Sequence, residues 1–182
     1  MLYKITFLIA FFYLQNLYTI ELPHPENDQL YTDFVSYRFA NYLKKPIIGN
    51  GYIVMDGKNK FLFKQIDPIN IEIRKVDDKI LYKVKDNQPI EISNDQDENI
   101  MFIFYNSDLS NKNFDIQKKL NNNNKDFFNI IPKEKKNIIN IEIISMLDKV
   151  EKITIYFINN STLIYEFKNS ITGKKPSEQF FK

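Results

Sequence analysis

Between residues 51 and 84, short apolar runs alternate with polar turns, which is the pattern of an antiparallel meander. The run from Ile69 to Arg74 places isoleucine at every second position and Asn, Glu and Arg between them. One face of this strand is therefore predicted to be apolar and the other solvated. The turn between the first two runs contains Asp56-Gly57, and Gly accepts the positive φ that hairpin turns need. The predicted strands of this region are residues 52–55, 61–63, 69–74 and 80–84.

The same alternation predicts strands along most of the remaining chain. The first of them carries Val35, Tyr37 and Phe39 on one face. Polar breaks, including the four asparagines at residues 121–124, separate the later runs and predict turns. The additional predicted strands are residues 32–40, 46–56, 114–120, 127–131, 139–146, 151–158 and 163–167, and strands three to six fill residues 60–93.

One apolar run, residues 100–105, is ambiguous. Its β-branched and aromatic residues favour a strand. It lacks alternation, however, and a polar segment follows it, so the pattern alone does not assign this run.

The chain has 182 residues, enough for one domain with a sizeable core, and a net charge of +2. The balanced charge argues against nucleic acid and against a polybasic membrane patch as the basis of function. Cysteine is absent and His24 is the only histidine. Most known arrangements of catalytic nucleophiles, acid–base groups and zinc ligands need cysteine or more than one histidine. We therefore expect that the protein is not an enzyme, and that it has no cofactor and no metal site.

The N-terminus predicts export. Lys4 precedes a ten-residue apolar run at residues 5–14, which suits a signal-peptide core and is short for a membrane-spanning helix. We predict a signal peptide at residues 1–19, with cleavage near Thr19, and a single domain at residues 20–182. No small-x-small cleavage site stands out, so an uncleaved inner-membrane anchor and a buried strand of the domain stay open.

The order of several motifs resembles the periplasmic outer-membrane lipoprotein carriers, the LolA-like family. That family has a glycine opening a strand, an aromatic pair, a proline, and an Asp-Gly-Lys turn that runs into an aromatic residue. The matching residues here are Gly51, Phe61, Phe63, Pro68, Asp77-Asp78-Lys79 and Tyr82, followed by the strand that ends at Pro132 and a Phe-rich final strand at residues 179–181.

The resemblance implies a mainly β fold, an incomplete antiparallel β-barrel of 10–11 strands with a small helical lid. Residues 101–104 are the candidate lid, with a strand as the other interpretation. It also implies a monomeric periplasmic carrier that shields lipoprotein acyl chains and moves them from the inner to the outer membrane. Its partners would be the lipoprotein cargo, an inner-membrane ABC transporter that releases lipoproteins, and an outer-membrane acceptor. The family's lid-binding arginine corresponds to Gly57-Lys58 here, so control of the lid must differ.

The resemblance also implies a set of lipid-binding residues. Ordinary packing in the core of the sheet is the competing interpretation for each of them. The candidates are Ile53, Met55, Phe61, Phe63, Ile71, Ile73, Tyr82, Met101 and Phe104.

Two other functions remain compatible with the same fold. One is a membrane-anchored lipid-binding or envelope-sensor protein, which an uncleaved N-terminal segment would favour. The other is the outer-membrane receptor of the carrier pathway, which is lipidated on an N-terminal cysteine. A chain without cysteine cannot carry that anchor.

Overall fold

The computed structural model describes residues 22–23, 29–57, 60–76, 79–92, 114–120, 124–134, 137–147 and 149–181, and within them eleven antiparallel strands form one sheet. The strand order is β6-β5-β4-β3-β2-β1-β11-β10-β9-β8-β7. Two meanders therefore meet where β1 pairs with β11. The strands are β1 (Gln29–Phe39), β2 (Ile47–Asp56), β3 (Lys60–Asp67), β4 (Ile71–Val76), β5 (Lys79–Val84), β6 (Ile90–Ile92), β7 (Phe114–Leu120), β8 (Lys125–Pro132), β9 (Ile138–Met146), β10 (Lys149–Phe157) and β11 (Thr162–Thr172).

The sheet is not closed into a barrel, because β6 and β7 form its two edges. The expected incomplete antiparallel barrel is thus confirmed. In the described part of the chain the only helix is a 3-10 turn at Glu178–Phe181. No helix there is long and apolar enough to cross a membrane. The predicted signal peptide, the lid segment with Met101 and Phe104, and Lys58 lie outside the described residues.

Most strand positions agree with the alternation in the sequence. The predicted hairpin between β2 and β3 is present, and Gly57 adopts a φ of 71° in its turn. The strand at residues 114–120 has the predicted bounds. Ile69 is an exception, because it lies in the turn before β4 and its side chain is 44% exposed.

One face of the sheet carries a single apolar cluster, and we call it the inner face. Its fully buried members are Leu30, Phe34, Ile53, Met55, Phe61, Phe63, Ile73, Phe128, Ile130, Ile141, Ile143, Ile153, Ile155 and Tyr165. The prediction that Val35, Tyr37 and Phe39 share one face of the first strand is confirmed. That face is the outer one, and Phe39 is 42% exposed.

The C-terminal segment packs against the outer face. The ring of Phe180 lies 5.8 Å from the ring of Tyr31 and 5.8 Å from that of Tyr52. A final strand was predicted here, and that prediction is wrong. Pro176 has no backbone N–H to donate to a ladder, and the Phe180 N–H donates to the Ser177 carbonyl oxygen at 3.2 Å to close a turn instead.

Candidate ligand-binding face

The seven candidate residues that the structure describes all lie on the inner face and belong to its cluster or pack against it. Four of them form one row across β2 to β5, because antiparallel register pairs Ile53 with Phe63, Phe63 with Ile73, and Ile73 with Tyr82. Met55 and Phe61 pair in the next row. Facing side chains in such rows lie close enough to form one continuous apolar surface.

The meander from β7 to β11 forms the other half of the inner face, and none of the candidate lipid-binding residues belongs to it. A second row runs across β8 to β11, where Phe128 pairs with Ile143, Ile143 with Ile153, and Ile153 with Tyr165. Alternation in Ile141, Ile143 and in Ile153, Ile155 could have identified these positions from the sequence. The resemblance also covered the strand that ends at Pro132, but the lipid-binding candidates came from residues 53–104.

Aromatic rings join the two halves at the centre of the inner face. Phe34 stacks on Phe63 with centroids 5.0 Å apart and meets Tyr165 edge-on at 5.2 Å. Phe34 lies opposite Gly51, and a β-carbon at that glycine would stand 2.6 Å from the Phe34 Cζ atom. The absent side chain at residue 51 is therefore what lets the ring of Phe34 reach across β2 to β3.

A few polar groups interrupt the apolar surface. Burial raises the pKa of the Tyr165 phenol, against a smaller opposing effect of the Arg38 charge, so this hydroxyl stays neutral at physiological pH. Lys118 bonds to Asp126 at 2.7 Å and its ammonium lies 5.2 Å from the Phe128 ring centroid, near the β7 edge. Lys75 also belongs to the inner face and is 9% exposed. The inner face is therefore mainly apolar but not exclusively so, and the Tyr165 hydroxyl lies near its centre.

The inner face is covered in this conformation. Phe61 is 1% exposed and Phe63 is 7% exposed, which is typical of a packed core. Leu22 covers part of the inner face, because its side chain packs against the cluster. Toward the β6 edge, Ile71, Ile80 and Tyr82 are only half-buried. A ligand would meet this edge of the face with the least rearrangement.

On the outer face, a charged network fixes β3 to β4 beneath the C-terminal turn. Glu72 accepts from Lys64 at 2.7 Å and from Arg74 at 2.9 Å, and Arg74 also donates to the Phe181 carbonyl oxygen at 3.3 Å. Burial alone would raise the pKa of Glu72, but the hydrogen bond from Lys64 and the charge of Arg74 outweigh it and lower that pKa. Among the residues described, no group of acidic or histidine side chains has an arrangement that could hold a metal ion.

No family model matches the chain, and no significant match was found among the curated proteins. Solved structures do match. A LolA superfamily protein from Nitrosomonas europaea superposes with a TM-score of 0.51 at 8% identity, covering 88% of this chain and 93% of that one. MucB superposes with a TM-score of 0.53 at 11% identity, and the matched region covers 89% of this chain but only 60% of MucB.

A putative outer-membrane lipoprotein-sorting protein domain from Vibrio parahaemolyticus is also similar, with a TM-score of 0.48 at 11% identity over 88% of this chain and 92% of that one. Identities this low bear on the fold and not on the activity. Together with the open eleven-stranded sheet and its apolar inner face, the superpositions at a TM-score above 0.5 establish that this chain has the LolA-like fold.

Proposed function

We propose that this protein is a periplasmic carrier that holds lipoprotein acyl chains against its inner face and moves them from the inner to the outer membrane. The observation that carries the proposal is the continuous apolar row on each meander of an unclosed sheet. An open curved sheet with an apolar lining can separate its edges to admit a ligand, which a closed barrel of the same size cannot.

The energetic need for such a face is large. Each buried CH₂ is worth about 0.8 kcal/mol, so one acyl chain of about 16 carbons costs roughly 12 kcal/mol to expose to water. A lipoprotein with several chains cannot cross an aqueous compartment at a useful rate unless those chains are covered. The half-buried residues Ile71, Ile80 and Tyr82 offer the first contacts, and displacement of Leu22 from the cluster would uncover more of the face.

The carrier role implies several further features. The protein acts as a monomer and performs no chemistry, so it needs no cofactor. An inner-membrane ABC transporter that releases lipoproteins loads it, and an outer-membrane acceptor unloads it. The N-terminal apolar segment is cleaved, because a carrier must diffuse between the two membranes.

Two neighbouring residues of β5 provide a matched test of the inner face. Ile80 packs against the inner cluster, whereas Leu81 points to the outer face, and both are half-buried. We expect Ile80→Glu to weaken co-purification of triacylated lipoprotein, because a charged side chain replaces apolar surface that the acyl chains would cover. Lys75, which pairs with residue 80 in register, offsets only part of the cost of burying that charge. Leu81→Glu should keep the cargo.

Thermal melting of both variants provides the control for folding, and Tyr82→Gln is a milder second variant of the same face if Ile80→Glu does not fold. Equal cargo binding by the inner-face and outer-face variants would contradict the proposal.

A membrane-anchored lipid-binding or envelope-sensor protein is the second candidate. It is favoured by the apolar run at residues 5–14 followed by no clear small-x-small cleavage site. Fractionation distinguishes the two functions. Full-length chain that stays in the inner-membrane fraction after a carbonate wash supports the sensor, and a shortened chain in the periplasmic fraction supports the carrier.

A further inference from the structure

The hairpin that joins β1 to β2 projects from one end of the sheet. The last pair between β2 and β3 is Asn50 with Asp67, so the start of β2 at Ile47 extends beyond β3. At the tip, the Leu43 N–H donates to the Ala40 carbonyl oxygen at 2.9 Å and closes a turn. The β2 side of residues 38–48, which we call the hairpin tip, therefore stands clear of β3, whereas on the other side Arg38 and Phe39 still pair with Leu163 and Thr162 of β11.

Large apolar side chains of the hairpin tip are exposed. Tyr42 is 76% exposed, Ile48 58%, Phe39 42% and Ile47 41%. The isoleucines are adjacent in a strand, so their side chains point to opposite sides of the hairpin, and yet both are exposed. Further exposed apolar residues lie at the same end of the sheet, namely Ile66 in β3 and Ile69 and Ile158 in adjoining turns.

The hairpin tip is also basic. The net charge of the whole chain is only +2, but residues 38–48 contain Arg38, Lys44 and Lys45 and no Asp or Glu. All three basic side chains are exposed. The closest acidic residue in the adjoining strand pair is Asp67, whose carboxylate accepts a hydrogen bond from Asn50 at 3.2 Å. The local charge is thus concentrated beside the exposed apolar groups.

We infer that the hairpin tip docks this protein on the surface of an anionic phospholipid bilayer. Exposed tyrosine suits the headgroup layer, isoleucine suits the acyl boundary beneath it, and lysine and arginine reach anionic headgroups. A protein partner with one complementary surface would cover a single side of the hairpin. A bilayer surrounds an inserted tip on all sides, which matches apolar exposure on both sides of β2.

This inference does not depend on what the inner face binds. The hairpin tip makes the contact with the membrane, and the inner face holds the ligand, whatever that ligand is. Docking of this kind is reversible, because the tip carries few basic residues and buries few apolar ones.

Sedimentation with vesicles tests the inference directly. We expect the exported chain without residues 1–19, whose apolar run would itself bind any vesicle, to sediment with vesicles of phosphatidylcholine and phosphatidylglycerol, and less with phosphatidylcholine alone. Lys44→Gln with Lys45→Gln should weaken binding to the anionic vesicles by roughly fivefold per lysine at low salt. Tyr42→Ser with Ile48→Ser should weaken binding to both kinds of vesicle.

Leu147 provides the matched control. It is 73% exposed in the turn between β9 and β10, at the opposite end of the sheet, and Leu147→Asn should leave vesicle binding unchanged. The inner-face variant Ile80→Glu should also bind vesicles as the unmodified chain does. The inference is overturned if the unmodified chain does not sediment, if the hairpin variants bind normally, or if Ile80→Glu or Leu147→Asn causes the same loss.

Discussion

The ring of Phe34 stacks on the ring of Phe63 at a centroid distance of 5.0 Å and an interplanar angle of 13°, although the two residues belong to strands that are not neighbours. The intervening strand makes this contact possible, because its residue opposite Phe34 is Gly51. The stack joins β1 to β3 over the backbone of β2. It therefore supports the curvature of the sheet at the centre of the inner face.

Substitution of this glycine should be strongly destabilising. A β-carbon at residue 51 would lie 2.6 Å from the Phe34 ring and 2.9 Å from the Gln65 Cα, and would also clash with the Lys64 carbonyl oxygen. We expect Gly51→Ala to lower the free energy of unfolding by about 3 kcal/mol, the upper part of the range for overpacking. Chemical denaturation measures the loss, and near-UV circular dichroism should show a changed aromatic cluster.

Gly57→Ala is the control, since nothing lies within 4 Å of the added methyl group and only its φ of 71° is unfavourable. That strain should cost about 1–2 kcal/mol. The aromatic near-UV signal should be unchanged. A near-UV change in Gly57→Ala equal to that in Gly51→Ala would contradict the steric explanation.

Phe180 should stabilise the outer face by covering Tyr31 and Tyr52. We expect Phe180→Ala to lower the free energy of unfolding by about 2 kcal/mol, and the exposed Gln179→Ala to change it little. Burial, followed by the hydrogen bond to Asp33, raises the pKa of Tyr31 to about 12. Removal of the Phe180 ring should lower that pKa toward 10, measured by NMR titration of the Tyr31 ring. An unchanged Tyr31 pKa in Phe180→Ala would show that the ring does not cover it.

The network around Glu72 should make stability depend on acid pH. Because the folded-state pKa of Glu72 is lowered from its usual 4.5, its contribution is fully present above that value and is lost as the pH falls through the folded-state pKa. We expect the stability difference between the unmodified chain and Glu72→Gln to be constant near pH 7 and to shrink below about pH 4.5. Urea denaturation over this range provides the measurement. A difference that grows toward acid pH would contradict the assignment.

The sequence predicted the hairpins and the inner face of β2 to β5 because these depend on local alternation. In β4, Ile71 and Ile73 alternate with the charged Glu72 and Arg74, so the sequence shows which of the two faces of this strand is buried. β1 lacks that contrast. Its inner face includes Thr32 and Ser36, whereas its outer face includes Tyr31, Val35 and Tyr37, so the count of apolar residues does not identify the buried side.

The contacts that decide the buried side of β1 are nonlocal. The outward-facing Tyr31 is covered by Phe180, from the far end of the chain, and alternation within β1 carries no information about that contact. The two small polar side chains at Thr32 and Ser36 are accommodated inward at the centre of the sheet. Thr32 satisfies its hydroxyl by donating to the Lys168 carbonyl oxygen at 3.1 Å, across an irregularity in the register between β1 and β11. The residue pattern of a single strand does not indicate either of these two contacts.

Site-specific photo-crosslinking tests the central claim most directly. A photoreactive amino acid is placed at Tyr82, on the inner face, or at the adjacent Leu81, on the outer face, and the protein is irradiated in cells that make triacylated lipoproteins. The account predicts crosslinks between the acyl chains of lipoproteins and residue 82 and none to residue 81. Crosslinks at residue 81 alone, or none at residue 82 while the protein is folded and expressed, would contradict it.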